Sequence, residues 1–330
     1  MKAAFIRETG PAEAIEVGEL PCPEPGEGQV RVRVQAVSVN PIDTYVRSGS
    51  VPMELPNPFI IGSDLAGVVD AIGPGVTGLR EGDRVWCTCQ GLLGRQGTFS
   101  EFAVIDAQFL YPLPDGVEPG TAAACALVGI TAHLGLFREA RLRVDDTILV
   151  IGGTGGVGSM VVQMAKAAGA TVIATCGSSE KCELARKLGA DFTIDYHRES
   201  IAERTKELAP EGVNVLWETR QEPDFDLAVD LLAERGRMVL MAGRDARPPF
   251  PVGPFYVKGC SVHGFVMFKA TPDEMRQAAD DINEWLAEGR LQPQIGKRLP
   301  LEQAAEAHRL QEAATLHGEG ALAGKIVLDV

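Results

Sequence analysis

The chain has 330 residues, 45% hydrophobic and 23% charged, a globular mix too long for one ordinary core, so two domains are expected. Its net charge of −14 opposes nucleic acid and anionic membrane as partners. The opening MKAAFIRETGPAEAIEV has no signal-like apolar core and no apolar run reads as reaching the roughly 18 residues of a membrane span, so a cytoplasmic location is expected.

The first ~120 residues read as β-rich. QVRVRVQAVSVN (29–40) alternates apolar and polar residues, as a half-buried antiparallel strand does. GSDLAGVVDAIG, GDRVWCTC and TFSEFAVID read as short strands, and Pro and Gly punctuate them, which suggests a small irregular barrel. Near Pro119 the pattern changes. GTAAACALVGITAHLGLFREA reads as a helix, apolar on most sides. Then the strands TILVIG, TVIATC, FTIDY, VNVLWE, RMVLMAG and SVHGFVM alternate with the helices SMVVQMAKAAG, SEKCELARKLG, ESIAERTKELA and DFDLAVDLLAERG. Continuous apolar strands alternating with helices mean a parallel sheet covered on both faces, and six make a complete doubly wound dinucleotide domain. Two helices, PDEMRQAADDINEWLAEG and LEQAAEAHRL, and a strand, GKIVLDV, follow and are expected to return to the first domain. Seven scattered Cys argue against a disulfide framework. Cys87 and Cys89 are too close in sequence for a zinc knuckle, so reduced thiols and no metal site are expected.

Within TILVIGGTGGVGSM, Gly153, Gly155 and Gly158 form G-x-G-x-x-G between a strand and a helix. Gly153 is assigned the tight turn, Gly155 the close approach of backbone to a pyrophosphate, and Gly158 the packing of helix on sheet. Gly156 and Val157, between them, are expected to line the same ligand, where helix-start N–H groups face phosphate oxygens. No G-K-[ST] follows, which excludes a P-loop. The second strand ends in Cys176 where NAD sites usually carry an acid for the ribose 2′-OH. Ser178 and Lys181 follow, and Tyr196 with Arg198 ends the neighbouring third strand. Donors and positive charge without that acid favour NADPH over NADH; the competing reading makes Lys181 a solvated helix residue and Tyr196 a strand-end aromatic.

VNPIDTYVRSG (39–49), GSDLAGVVDAIGPGV (62–76), GDRV (82–85), and GGVG with Gln163 and Lys166 resemble the zinc-independent quinone oxidoreductases, the ζ-crystallin-like branch of the medium-chain dehydrogenase/reductases. The resemblance spans the whole chain, including the closing GKIVL. It implies an α/β fold in which a Rossmann doubly wound parallel sheet is inserted into a β-rich, barrel-like catalytic domain. The expected division is 1–123 with 267–330 for the catalytic domain and 124–266 for the dinucleotide domain. Where the zinc-dependent branch has a ligand Cys this chain has Asn40 or its neighbours, and where that branch has Gly-His-Glu it has Gly62-Ser63-Asp64. Without zinc to form an alkoxide, an acceptor that is already electrophilic fits better. The expected reaction is hydride transfer from NADPH to a quinone, with the protein orienting two flat rings and excluding water.

The resemblance makes Asn40 and Tyr45 candidates for orienting or protonating the acceptor and assigns Asp43 to holding the loop. Packing at a loop–strand junction is the alternative for Tyr45. The resemblance further places Thr131 near the nicotinamide, Gly243 and Arg244 along the cofactor's far wall, and Phe265, Val266 and Met267 around the carboxamide. Lys325 would reach the nicotinamide end or the substrate, a surface lysine being the competing reading. Pairing of the edge strand SVHGFVM into a homodimer is expected. Two departures stand out. Ser50-Val51-Pro52 occupies a place where many relatives carry a second Tyr. The fourth strand ends LWETRQEP, putting Glu218, Thr219 and Arg220 near the cofactor ribose, where they either narrow the pocket or pair with one another. The alternatives are an NADPH-dependent enoyl or alkenal reductase and, in another class, a cofactor-binding scaffold or sensor with little turnover.

Overall fold

The computed structural model describes residues 1–316 and 324–330, and these form two compact units, 1–130 with 270–330 and 131–269. In chain order the first unit opens with β1 (Lys2–Ile6), β2 (Glu16–Glu19), β3 (Gln29–Val39), α1 (Pro41–Ser48), β4 (Phe59–Ile60), β5 (Asp64–Ile72), β6 (Arg84–Cys87), β7 (Phe102–Asp106) and β8 (Tyr111–Pro112). Helix α2 (Pro119–His133) continues as a wider π-type turn, Leu134–Glu139. The second unit holds β9 (Thr147–Val150), α3 (Gly156–Ala167), β10 (Thr171–Cys176), α4 (Ser179–Lys187), β11 (Phe192–Asp195), α5 (Ile201–Leu208), β12 (Val213–Glu218), α6 (Phe225–Leu231), β13 (Leu232–Leu240), α7 (Val252–Val257) and β14 (Ser261–Gly264). The chain then returns to the first unit through α8 (Pro272–Ala287), β15 (Ile295–Pro300), α9 (Ala304–Leu316) and β16 (Lys325–Asp329).

The second unit is a six-stranded parallel sheet in the order β11-β10-β9-β12-β13-β14, the doubly wound arrangement anticipated from the alternation. The first unit carries a small antiparallel sheet, β2-β1-β4, and a seven-stranded mixed sheet, β15-β16-β3-β5-β6-β8 with β7 also paired to β3. β16 and β5 flank β3 antiparallel, with Val39 opposite Ile326 and Ser38 opposite Asp64. That register places the last strand beside β3, with β5 on the other side of β3.

Several expectations are corrected. Residues 41–48 are a helix, not a loop. Asn40 precedes it, Pro41 opens it, and the Asp43 carboxylate accepts the Asn40 backbone N–H at 2.8 Å, an N-terminal signature that Asn-Pro-Ile-Asp spells out. Helix α6 ends at Leu231, short of the expected 236. Leu232 already pairs with Val213, and the ladder resumes only at Arg237 opposite Val215, so the residues between form a bulge with Arg235 at φ 58°. Strands β1, β2, β4, β8 and β15 and helix α7 were not anticipated. One stretch, Pro119–Glu139, is 21 residues long and apolar enough to cross a membrane by length and composition, contrary to the sequence reading; 83% of its apolar window is buried in the protein, as in a core helix.

Candidate active site

In the second unit the glycine turn joins β9 to α3. The left-handed residue is Gly152 (φ 79°), so the tight turn belongs to it and not to Gly153. Gly153 is small for another reason: a Cβ there would lie 2.6 Å from the Ala174 Cβ on β10. A Cβ on Gly158 would lie 2.1 Å from the Gly152 carbonyl oxygen, which fixes the approach of helix to turn. Gly155 differs, because its nearest neighbour would be the Gly152 oxygen at 3.5 Å, ordinary contact. The protein itself does not require glycine at 155, whereas a ligand lying against the turn would. Gly156, Val157 and Gly158 form the first turn of α3, where backbone N–H groups lack intrahelical acceptors. The turn is tied to β10 by Gly152 N–H to Thr175 Oγ1 and Gly153 N–H to the Thr175 carbonyl, both 3.0 Å.

At the end of β10, Cys176 is buried, and burial followed by neighbouring Cys182 pushes its thiol up to about 12, so it is an inert neutral group. Ser178 caps α4, its hydroxyl accepting the Lys181 backbone N–H at 3.2 Å. Tyr196, 48% exposed, leans over Gly177, where a Cβ would lie 2.4 Å from its hydroxyl. Ser178, Lys181 and Tyr196 thus gather at one strand end. Two acids that the sequence reading passed over gather there too. Asp195 pairs with Cys176 across the sheet and forms an ion pair with Arg198 at 3.6 Å. Glu180, on the surface, is held below the usual carboxylate range by its backbone N–H, the Ser178 hydroxyl and Arg198.

The end of β12 resolves the Glu218-Thr219-Arg220 alternative in favour of pairing. Glu218 is buried, and Arg220 donates to it from its backbone N–H at 2.8 Å, from Nε at 3.0 and 3.1 Å and from Nη2 at 2.6 Å. Thr219 donates to the Ile151 carbonyl at 2.6 Å. Among the other candidates, Thr131 is buried on α2, Gly243 is left-handed, and the Arg244 side chain is exposed near Asp245. After β14, the Arg138 guanidinium stands 5.4 Å over the Phe265 ring, Val266 is exposed and Met267 is buried.

In the first unit, the register of β16, β3 and β5 assembles a buried polar cluster. Lys325 is 5% exposed, which excludes a surface lysine; its ammonium donates to the Val39 carbonyl at 2.7 Å and to the Asn40 side-chain oxygen. Asn40 Nδ2 donates to Asp64 Oδ2 at 2.7 Å, and Ser38 Oγ donates to the same oxygen at 3.1 Å. Asp64 Oδ1 has no hydrogen-bond partner among the described residues, although Thr88 stands beside the carboxyl. Ser63 donates to Asp43. Burial and then the Asp64 charge push the Asp43 carboxyl up to about 7, opposed by Ser63, the Asn40 N–H and Lys325. Burial likewise raises Asp64, against Lys325 and Asn40, and lowers Lys325, against Asp64 and Asp43. Asn40, fully enclosed with both amide atoms engaged, is a hub of this cluster and not a group facing an acceptor; Tyr45, on α1, is only partly buried. Sequence reasoning missed the Asp64–Lys325 relationship. Its signal was an acid heading an apolar strand and a lysine opening another. Among the described residues no group of three or more His, Cys, Asp or Glu is gathered closely enough to hold a metal ion.

A six-stranded dinucleotide-type sheet lying between two stretches of chain that build one β-rich unit is the architecture of the medium-chain dehydrogenase/reductases, a class of nicotinamide-dependent oxidoreductases. Residues 26–115 match the alcohol dehydrogenase GroES-like domain and residues 156–284 the zinc-binding dehydrogenase family. The rat (Rattus norvegicus) quinone oxidoreductase is 32% identical over 330 residues, covering 99% of this chain and 97% of the relative. A crystal structure of an NAD-dependent alcohol dehydrogenase superimposes with a TM-score of 0.90 at 33% identity, covering 100% of each chain. That of Escherichia coli quinone oxidoreductase complexed with NADPH does so with 0.85 at 29% identity, again covering 100% of each. The chain belongs to the medium-chain dehydrogenase/reductase superfamily, with quinone oxidoreductases among its relatives, and is a nicotinamide-dependent oxidoreductase of the medium-chain type.

Proposed function

We propose that the protein is an NADPH-dependent quinone reductase that works without zinc. The observation that carries the reading is the Lys325 ammonium on the Asn40 side chain, inside a cluster that includes Asp64 and Ser63. By the resemblance, the zinc-dependent branch has a ligand Cys at the place of Asn40 or its neighbours and Gly-His-Glu at that of Gly62-Ser63-Asp64. Here the polar atoms of Asn40 and Ser63 are engaged with Lys325, Asp64 and Asp43, and a fixed cation so close opposes a dication. With no metal to polarise an alcohol, the acceptor has to be electrophilic already. A quinone takes a hydride (two electrons and one proton) from the reduced nicotinamide and a second proton from water, giving hydroquinone and oxidised cofactor. The cofactor supplies the hydride, and the protein holds both rings and limits water. Tyr45 is the group we assign to orienting the acceptor, with Asn40 acting through its hold on the cluster.

Ser178, Lys181 and Tyr196, with no acid at Cys176, support NADPH, and the NADPH complex of the Escherichia coli relative agrees. Glu180 on the Ser178 hydroxyl favours NADH as a second reading. The open edge of β14 and the exposed Val252, Tyr256 and Val257 of α7 support a homodimer formed through this side of the sheet. The deciding experiment follows NADPH and NADH oxidation with matched concentrations of a small quinone, a 2-alkenal and an enoyl thioester. Fastest turnover with NADPH and the quinone is expected. Faster turnover with either alkene would replace the acceptor. Tight cofactor binding without any oxidation would leave a scaffold or sensor.

A further inference from the structure

The strand order reverses between β9 and β12, and in open α/β sheets ligands bind outside the carboxyl ends of strands at that point. β9 ends there in the glycine turn and β12 in Glu218-Thr219-Arg220. The two ends are locked together: Ile151 N–H donates to the Trp217 carbonyl at 2.9 Å, Thr219 donates back to the Ile151 carbonyl at 2.6 Å, and a Cβ on Gly152 would lie 2.7 Å from Thr219 Oγ1. Arg220 follows at once. Its Nε and Nη2 are bound to Glu218, which is 2% exposed, and Asp224 adds a second negative charge nearby; Nη1 has no hydrogen-bond partner among the described residues, and the side chain keeps 34% of its surface open. Such a guanidinium has already lost much of its rotamer freedom, and its unused N–H groups sit on a partly exposed side chain that follows the end of β12. Its charge is balanced by Glu218, so it acts by short-range hydrogen bonds to oxygen and not as a diffuse positive patch.

A dinucleotide at such a switch point lays its adenosine ribose over the second strand, here β10, and its pyrophosphate at the glycine turn after β9. What lies over β12 is therefore the other half. We infer that Arg220, held by Glu218, is a cofactor-binding residue that donates from Nη1 to the ribose-phosphate of the nicotinamide half. The inference rests on the nicotinamide-cofactor reading. It makes Glu218 the positioning residue of a donor one strand away from the glycine motif.

Titration calorimetry with NADPH and with adenosine 2′,5′-bisphosphate, which lacks the nicotinamide half, tests it. R220A should weaken NADPH roughly tenfold or more and leave the bisphosphate unchanged. R220A leaves Glu218 buried without its partner, so the double variant E218Q/R220M, which removes the charge pair, is measured beside it and should show the same selective loss. E218Q alone, which loosens the guanidinium, should give a smaller loss, again for NADPH only. Equal affinities of wild type and both Arg220 variants for NADPH, or parallel loss of both ligands, would overturn the assignment alone. A wild-type protein that binds neither NADPH nor NADH would overturn it together with the cofactor reading.

Discussion

Lys325 and Asn40 are 285 positions apart in sequence, yet the lysine ammonium donates to the asparagine side-chain oxygen inside the protein. The pairing of β16 with β3 makes this contact, and Asp64 on β5 closes it from the other side through Asn40 Nδ2. Replacing Lys325 with Met leaves the Asp64 and Asp43 carboxyls buried without a cation, and breaking a buried ion cluster costs about 3–5 kcal/mol. Urea unfolding should show a loss of that size for K325M and a clearly smaller one for D64N/K325M. Equal losses would mean that the two charges are not coupled.

The sequence made the second unit legible and most of the first unit's site illegible, for physical reasons. Apolar strands alternating with helices have few other solutions, so β9 to β14 could be counted, and right-handed crossovers that cover both faces give the order of a doubly wound sheet. Residues 41–48 carried a full helix-start signature that the proline and glycine around it obscured. The Lys325–Asn40–Asp64 cluster depends on register between strands far apart in sequence, which no local pattern encodes. At the glycine turn the motif located the site but misplaced one role, because Gly152, which the G-x-G-x-x-G spacing passes over, takes the left-handed conformation.

Asp43 gives a pH signature. Its ordinary value is 3.8 and the folded protein raises it to about 7, so between these values the folded state holds a proton that the unfolded state has released. The stability it contributes is complete below about pH 4, falls as the pH rises to about 7 and is level above. Asp43→Asn has no such proton, and the Ser63 hydroxyl can turn to accept from the amide. Urea unfolding of both proteins at pH 5.5, 6.5, 7.5 and 8.5 should show wild type losing stability relative to D43N up to about pH 7, then a constant difference. A difference that holds constant from pH 5.5, or grows in favour of wild type, would mean that Asp43 is ionised throughout beside Lys325.

Two glycines of one motif should separate structure from ligand. A Cβ on Gly158 meets the Gly152 oxygen at 2.1 Å, so G158A has to shift backbone and should lose about 1–3 kcal/mol of stability. A Cβ on Gly155 meets only ordinary contacts, so G155A should unfold at nearly the wild-type temperature while binding cofactor more weakly. Thermal melts with and without NADPH measure both effects. A normal NADPH-induced rise in melting temperature for G155A would remove the pyrophosphate from this turn.

Two neighbouring residues of opposite charge, Glu180 and Lys181, stand in the first turn of α4 and make the proposed cofactor preference testable. The Ser178 hydroxyl accepts from the Lys181 backbone at 3.2 Å, and it also helps to hold the Glu180 carboxyl below its usual range. If the 2′-phosphate lies here, Lys181→Glu should weaken NADPH by about 1–2 kcal/mol, that is roughly fivefold to thirtyfold, with little change for NADH. Glu180→Gln should act in the opposite sense and tighten NADPH alone. Both effects should shrink at high salt, because these side chains are exposed and screened. Dissociation constants of the two cofactors for wild type and both variants, at 50 mM and 500 mM salt, make the comparison. Parallel changes for NADH and NADPH would place the 2′ position elsewhere. A wild type that binds NADH more tightly, and loses that preference in E180Q, would make Glu180 the ribose-binding acid and the protein NADH-dependent.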